Sequence, residues 1–429
     1  MATASTKKPK KITPDAGNPD IIIIGAGIVG VSTALELQRK GLSVTLIDKT
    51  GPAEGASYGN GGVLASCSVV PVTTPGLIGK APRMLLDPGQ PLFLKWSYLP
   101  RLMPWLWKYL KHANAEDTKR ISRALLPIIG ESLGDHQALA KGTGAEKWIT
   151  PCDYLYVYND RSHFEKDSFG WQVRRENGFS WTELEGEAFY NYDPAFDKSL
   201  GFAACLGQHG RITSPGDYVK ALAAYFVKQG GRLLIAEVEA IEREAGQVTG
   251  VRAGGKTLKT NKVAITTGIW SGPLVKQLGL SIPMEAERGY HLELWGPNVM
   301  PKAPVMVASG KFVATPMEGR IRLAGVVEFG GTTLGASQPP FDLLEKNIRK
   351  AMPQLTWQES TSWLGFRPAP SDSIPLIGEL DEKSGIFLGF GHHHVGLTGG
   401  PKTGRLLAQI IAGQTPNLDM TPYSPSRFR

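Results

Sequence analysis

The sequence predicts α/β and α+β architecture in one chain: a Rossmann-like unit with a parallel sheet, and a second unit built on an antiparallel sheet. Three observations predict it. Residues 20–48 read as strand, glycine turn, helix and second strand. Residues 290–327 alternate strand and turn, with turns at Gly296-Pro297, Gly310 and Gly319. A second glycine-rich turn, 391–400, leads into a terminal helix.

Taken in order, Ile21 to Ile24 are four β-branched residues between polar ones, the pattern of a strand buried on both faces. Gly25, Gly27 and Gly30, with Ile28 and Val29 between the last two, place GxGxxG where that strand turns into a helix. The first glycine permits the turn, the second lets backbone approach a pyrophosphate, and the third lets helix and sheet pack closely. The helix carries Val31, Ala34, Leu35 and Leu37 and stops at Lys40-Gly41. A second strand, Leu42 to Ile47, ends at Asp48, about 20 residues past the glycines, where an acid can hydrogen-bond a ribose diol. In this register the four pieces describe a dinucleotide site.

The run 51–62 is crowded with small residues, among them Ser57, Asn60, Gly61 and Gly62, and is expected to lie against the cofactor. Residues 91–113 are rich in aromatics and bases, and Pro100 and Pro104 are expected to break them into short helices. That stretch reads as an interfacial membrane helix or as apolar packing over the cofactor unit, with packing preferred. A helix is expected over 121–139, and another from Ser214 as N-cap and Pro215 at the first position. Strands at 232–235, 238–243, 248–253 and 263–266 follow. A helix over 343–352, a strand over 386–390 and a helix over 403–411 complete the chain.

At 429 residues the chain exceeds what one core organises. No apolar run reaches the roughly 18–20 residues of a membrane-spanning helix. Residues 1–19, with Lys7, Lys8, Lys10 and Lys11, lack the apolar segment of a secretory signal. They are expected to be a basic flexible leader, one that could also rest on anionic lipid. Cys67, Cys152 and Cys205 are widely spaced, give neither a disulfide framework nor a zinc site, and suit a reducing cytosol. A cytoplasmic location is therefore expected, with peripheral contact at the inner face of the plasma membrane as a variant. The net charge of +8 has no basic stripe with interleaved aromatics, so nucleic acid is not an expected partner.

Several patches together resemble the D-amino-acid dehydrogenase branch of the FAD-dependent D-amino-acid oxidase family, which includes glycine oxidase. They are Gly25–Gly30, Ser57–Gly62, the aromatic stretch after Pro91, Thr267-Gly268-Ile269-Trp270-Ser271, Arg288-Gly289-Tyr290, Gly365-Phe366-Arg367-Pro368 and Gly391-His392. The resemblance implies non-covalent FAD and a discontinuous FAD-binding domain of 20–90, 208–285 and 362–429. The substrate domain would then be 91–207 and 286–361. It adds Lys49, Val238, Thr267, Gly268, Trp270, Gly391, His392, Gly396, Leu397 and Thr398 to the cofactor residues. It implies oxidation of an amino acid, D-configured or a cyclic imino acid, by hydride transfer to flavin N5, with electrons passed to a quinone or other carrier.

Such chemistry needs a grip on the substrate carboxylate, and an arginine fork meets a carboxylate bidentately. Arg367 sits where the family places that grip, the alternative being a surface arginine paired with Asp372. Arg288 is the second candidate. Tyr58 and Tyr290 are candidate catalytic and substrate-binding hydroxyls, against plain packing roles. His393 and His394 are candidate pocket walls, and three consecutive histidines, 392–394, alternate faces and are not expected to chelate a metal. His291 is expected to face away from Tyr290. Competing readings are an oxygen-using amino-acid, glycine or sarcosine-type oxidase, and a non-catalytic FAD-binding subunit.

Overall fold

A computed structural model describes residues 18–87 and 89–429; the basic leader falls outside these apart from its last two residues. The first half of the architecture is a six-stranded sheet. Its order is Leu376–Glu379, Ile386–Phe390, Val263–Ile265, Ile21–Ile24, Val44–Asp48, Arg232–Ile235, all parallel except the first pair. The four isoleucines are at most 3% exposed and lie near its centre. At roughly 2 kcal/mol for each buried side chain, this short run anchors the unit. Helices Ile28–Arg39, Pro215–Lys228 and Gly396–Ile411 contribute to the core on one face. A three-stranded antiparallel sheet, Val238–Glu244, Gln247–Ala253 and Lys256–Lys259, contributes to the core on the other. Gly30 is indispensable to this packing: a Cβ there would lie 1.8 Å from the Gly25 carbonyl oxygen.

The second half is a ten-stranded, largely antiparallel sheet. Strand Met284–Trp295 pairs along its whole length with Glu359–Pro370 and on its other side with Arg320–Phe329. Two contacts are parallel: Val305–Val307 with Ile149–Tyr158, and Leu92–Leu94 with Arg320–Phe329. The sheet is continuous across the expected domain limits 207/208, 285/286 and 361/362, each of which falls inside one of its strands. Helix Pro339–Ala351 closes one face over an apolar core containing Leu292, Leu294, Leu323 and Leu344.

Three local expectations need correction. The aromatic stretch is not broken into pieces by its prolines. Leu99–Leu110 is one helix that takes Pro100 in its first turn, where no N–H is needed, and tolerates Pro104 inside. Residues 121–139 are two helices, Ala115–Ile129 and Ser132–Ala140, separated at Gly130. The terminal helix starts at Gly396 rather than at 403, with Pro401 inside it. Ser214 and Pro215 occupy the expected cap positions, although the serine hydroxyl donates to Asp217 Oδ2 at 2.6 Å instead of capping backbone.

The run 57–62 is tied to the large sheet from below. Arg322, 1% exposed, donates to the carbonyls of Tyr58 at 2.9 Å and Asn60 at 2.6 Å, and holds Glu293 Oε1 at 2.6 Å on the neighbouring strand. Arg320 reaches the same oxygen at 2.6 Å. Burial raises the Glu293 carboxyl, but the two guanidinium groups more than reverse this and hold it at about 2. With the folded value below the ordinary 4.5, the pair's contribution is complete above pH 4.5 and is lost as pH falls through about 2. The Glu293→Gln variant should therefore melt below the wild type at pH 7. The gap in Tm should narrow as pH falls from 4.5 toward 2; a gap independent of pH would contradict the ionised pair.

Candidate active site

The carboxyl ends of the parallel strands face the uncovered side of the large sheet, and between them lies a cavity of about 1390 Å³. Ligand pockets usually measure roughly 300–1,000 Å³, so this one has room for a dinucleotide and a second molecule. At one end, helix Ile28–Arg39 points its N-terminus into the cavity. The N–H of Ile28 is taken by Ser57 Oγ at 2.9 Å and that of Ala26 by Asp48 Oδ2 at 2.8 Å. The N–H groups of Gly27 and Val29 have no partner among the described residues, as an anion site requires. A Cβ on Gly27 would meet only Ser57 Oγ, at 3.2 Å, so this glycine keeps the approach open rather than the fold intact.

Asp48 lines the cavity as expected. Its Oδ1 is filled by the N–H groups of Thr50 and Gly51, while Oδ2, holding Ala26, retains an acceptor direction for a ribose. Lys49, its ammonium 4.1 Å from the centre of the Trp270 ring, borders the same end with Val238, Thr267 and Gly268. Asn60 and Gly61 line the middle; Gly30 and Gly62 do not and serve packing and the turn. At the far end Gly391, His392, Gly396, Leu397 and Thr398 form the wall, and the N–H groups of 396–398 open helix Gly396–Ile411 without internal partners. These parts fit FAD: unpaired amides at two helix N-termini, an acid with a spare acceptor at the end of the second strand, and a cradle of glycines.

Beyond that cradle, Arg367 lines the cavity and makes no hydrogen bond or ion pair within the protein among the described residues. Asp372 is not its partner; that carboxylate holds Arg427 Nε at 2.7 Å. Behind Arg367 lies Glu287, 5% exposed and opposite it across the strands. Burial raises the Glu287 carboxyl, and His393 and Arg367 more than offset that, leaving it below the ordinary carboxylate value. His393 sits at a left-handed φ of 53° that turns its ring inward, Nε2 2.7 Å from Glu287 Oε1 but off the line of a hydrogen bond. Gly289 leaves the guanidinium its space, since a Cβ there would lie 2.8 Å from Arg367 Cζ.

Three expected substrate contacts are corrected by the geometry. Arg288 is fully buried and does not line the cavity. It holds Glu328 Oε2 at 2.7 Å and the carbonyls of Gly331, Leu334 and Gly335, fixing the loop before helix Pro339–Ala351. Tyr290 borders the cavity, but its hydroxyl donates to Glu328 at 2.7 Å and accepts from Ser337 N–H at 3.1 Å. Tyr58 turns away and packs near Trp363, His291 and Gly216. His291 does face away from Tyr290, stacking on Trp363 at 5.1 Å. Of the histidines, His392 is held by Thr403 Oγ1 at 2.8 Å, and His394 lines the cavity, where burial pulls its pKa down to about 3, keeping the ring neutral. Glu287 and Trp363 were not anticipated, and His393, expected only as a pocket wall, also meets Glu287. Alternation along 285–290 puts Glu287 opposite Arg288, but only the strand register reveals that its side belongs to Arg367.

Comparison with known proteins accounts for this arrangement. The FAD dependent oxidoreductase (DAO) family model matches residues 20–410. A D-amino-acid oxidase of Bradyrhizobium diazoefficiens is 33% identical over 95% of this chain and 98% of its own. A D-amino acid dehydrogenase of Rhizobium rhizogenes is 26% identical over 95% of this chain and 99% of its own. In structure, glycine oxidase from Geobacillus kaustophilus superposes with a TM-score of 0.73 at 21% identity, covering 95% of this chain and 98% of that one. With the glycine cradle, the two helix N-termini and the arginine-walled cavity all in place, the chain belongs to the FAD dependent oxidoreductase family.

Proposed function

We propose that this protein oxidises the Cα–N bond of an amino acid, with D-configured substrates preferred, to an imino acid that water hydrolyses to a 2-oxo acid. The observation that carries this reading is Arg367, on the cavity wall, whose guanidinium has no hydrogen bond among the described residues. Support comes from the D-amino-acid oxidase and dehydrogenase relatives, aligned over nearly the whole chain. FAD supplies the two-electron oxidant when bound. Arg367 grips the substrate carboxylate bidentately, and the buried Glu287 carboxylate, opposite it on the neighbouring strand, balances the guanidinium charge. Trp363 and Leu102 supply apolar wall that keeps water from the reacting carbon. His394, neutral, adds no competing charge. No carboxylate or neutral histidine is assigned as a base, because the amine is taken in its deprotonated form.

We infer that FAD is held without a cysteine link, since none of the three cysteines lines the cavity, and that no other covalent link is made. Acid precipitation should release yellow flavin into the supernatant, and Gly27→Val should purify as folded apoprotein; colour retained in the pellet would refute this. Removing the Arg367 fork in Arg367→Leu should cost on the order of 3 kcal/mol. That appears as KM raised roughly 100-fold or more with the flavin spectrum nearly native. Anaerobic flavin bleaching across D-, L- and cyclic amino acids tests the reaction itself.

The electron acceptor we propose is a quinone at a membrane surface. Helices Leu77–Leu86 and Leu99–Leu110 line the cavity on one side, and carry Ile78, Leu86, Met103 and Trp107 outward at 48–72% exposure. Arg101, Lys108 and Lys111 are interleaved with them, the composition of a helix that settles among lipid headgroups. No helix among the described residues is long and apolar enough to cross the membrane, so contact would be peripheral. Reduced enzyme should react quickly with a quinone analogue and slowly with oxygen, and should co-sediment with anionic vesicles at low salt but not at high salt. Rapid peroxide formation under air would identify an oxidase instead.

A further inference from the structure

Helix Gly396–Ile411 turns its N-terminus toward the end of the cavity that carries Arg367. The turn before it is tied to the strand of that arginine, since the His393 N–H donates to the Pro368 carbonyl at 3.0 Å. Within the helix stands Pro401, which has no N–H to return to the carbonyl four residues back, that of Leu397. A buried carbonyl left without a donor is costly. Here the donor comes from another helix. His136, fully buried on helix Ser132–Ala140, places Nε2 2.9 Å from the Leu397 oxygen. A carbonyl only accepts, so Nε2 carries the proton and Nδ1 accepts in turn, from the Tyr218 hydroxyl at 2.8 Å. Burial pulls the His136 pKa down to about 4, which keeps the ring neutral in this tautomer at pH 7. Ser132 Oγ, one turn earlier on the same helix, donates to the next carbonyl, that of Thr398, at 2.8 Å.

We propose that His136 is a positioning residue for the flavin: it polarises the peptide between Leu397 and Thr398, so that the Thr398 N–H is a stronger donor to a ring that gains negative charge on reduction. Thr398 lines the cavity, and its N–H has no partner among the described residues. The glycine turn at Ile28 takes the pyrophosphate, which leaves the isoalloxazine for the end that carries Arg367. A peptide whose carbonyl accepts a hydrogen bond donates a stronger one from its N–H, by roughly 10–30% per bond. The chain therefore runs from the Tyr218 hydroxyl through His136 and the Leu397 carbonyl to the Thr398 N–H, and its open end is the cavity. Other contacts hold the helix where it lies. Gly399 and Gly400 let it sit against Ile128 and Ile28, where a Cβ on either glycine would come to 2.7 Å of its neighbour, and Arg405 meets Asp135 at 2.7 Å. The inference goes beyond the amino-acid reaction and requires only that FAD occupies the cavity.

The test needs no amino-acid substrate. The midpoint potential of the FAD-loaded protein is read against a reference dye in the wild type, His136→Leu, Pro401→Ala and the double variant. Losing the His136 donor should weaken the hold on reduced FAD about threefold or more relative to oxidised FAD, a potential lower by about 15 mV or more. Pro401→Ala offers the Leu397 carbonyl a backbone N–H in place of the missing one. It should therefore restore most of the loss in the His136→Leu background, and change the potential less where His136 is present. A side chain that merely packs the helix would not be replaced by that N–H. Tyr218→Phe should shift the potential in the same direction and by less. An unchanged potential in His136→Leu, or an effect of Pro401→Ala that is the same in both backgrounds, would overturn the proposal. If His136→Leu does not fold or does not hold FAD, Tyr218→Phe decides in its place, and an unchanged potential there would refute it.

Discussion

The ion pair of Arg322 with Glu293 is the constraint on which the site depends. It lies on adjacent strands of the large sheet, yet two of its hydrogen bonds leave the sheet and grip the backbone carbonyls of Tyr58 and Asn60. Those residues belong to the glycine-rich run that starts from the end of the parallel sheet, so one guanidinium fastens two architectures together. Breaking a buried pair from one side costs about 3–5 kcal/mol, because the remaining charge is left in a dry interior. The run has few side chains with which to hold itself in place. Without that clamp, the middle of the cofactor cradle would keep the turn made by Asn60 Oδ1 with Gly62 N–H, the bond from Ile28 N–H to Ser57 Oγ, and two ties to the large sheet, His291 Nδ1 at the Gly59 carbonyl and Ile212 N–H at the Gly62 carbonyl.

The arginines in and beneath the cavity divide by their company. Arg288, Arg320 and Arg322 each meet a carboxylate and spend their other donors on backbone carbonyls; they are scaffold. The Arg367 guanidinium has Glu287 opposite it but no hydrogen bond among the described residues. An arginine fork carries five donors in fixed directions, so the number left unspent measures how much recognition it can supply. By that measure Arg367 differs from the arginines beneath the cavity.

How much of this the sequence disclosed follows from the range of each signal. The Ile21–Asp48 unit was legible because its strand, turn, helix and acid are local, and the structure keeps all four in the expected register. Arg367 was legible only through a motif shared with a family. Arg288 and Tyr290 were misread because the same short motif does not say which face of a strand each side chain takes, nor that Glu328, about 40 residues away, absorbs both. Glu287 and His393 meet across more than 100 residues and leave no local trace. Pro104 failed as a break signal because an amphipathic helix with Leu102, Trp105 and Tyr109 buried gains more from tertiary packing than one missing backbone bond removes.

That proline has a mechanical consequence. At position 104 the helix lacks one N–H in its ladder, so the Pro100 carbonyl has no helical partner and the rod is softest at its midpoint. Its inward residues Leu102 and Leu106 flank this soft point on the cavity side, and Met103 and Trp107 flank it outside. A bend there moves both surfaces at once. Any load applied to the outer face is thus transmitted to the volume inside, making this wall a diaphragm between the surroundings of the protein and its reaction chamber.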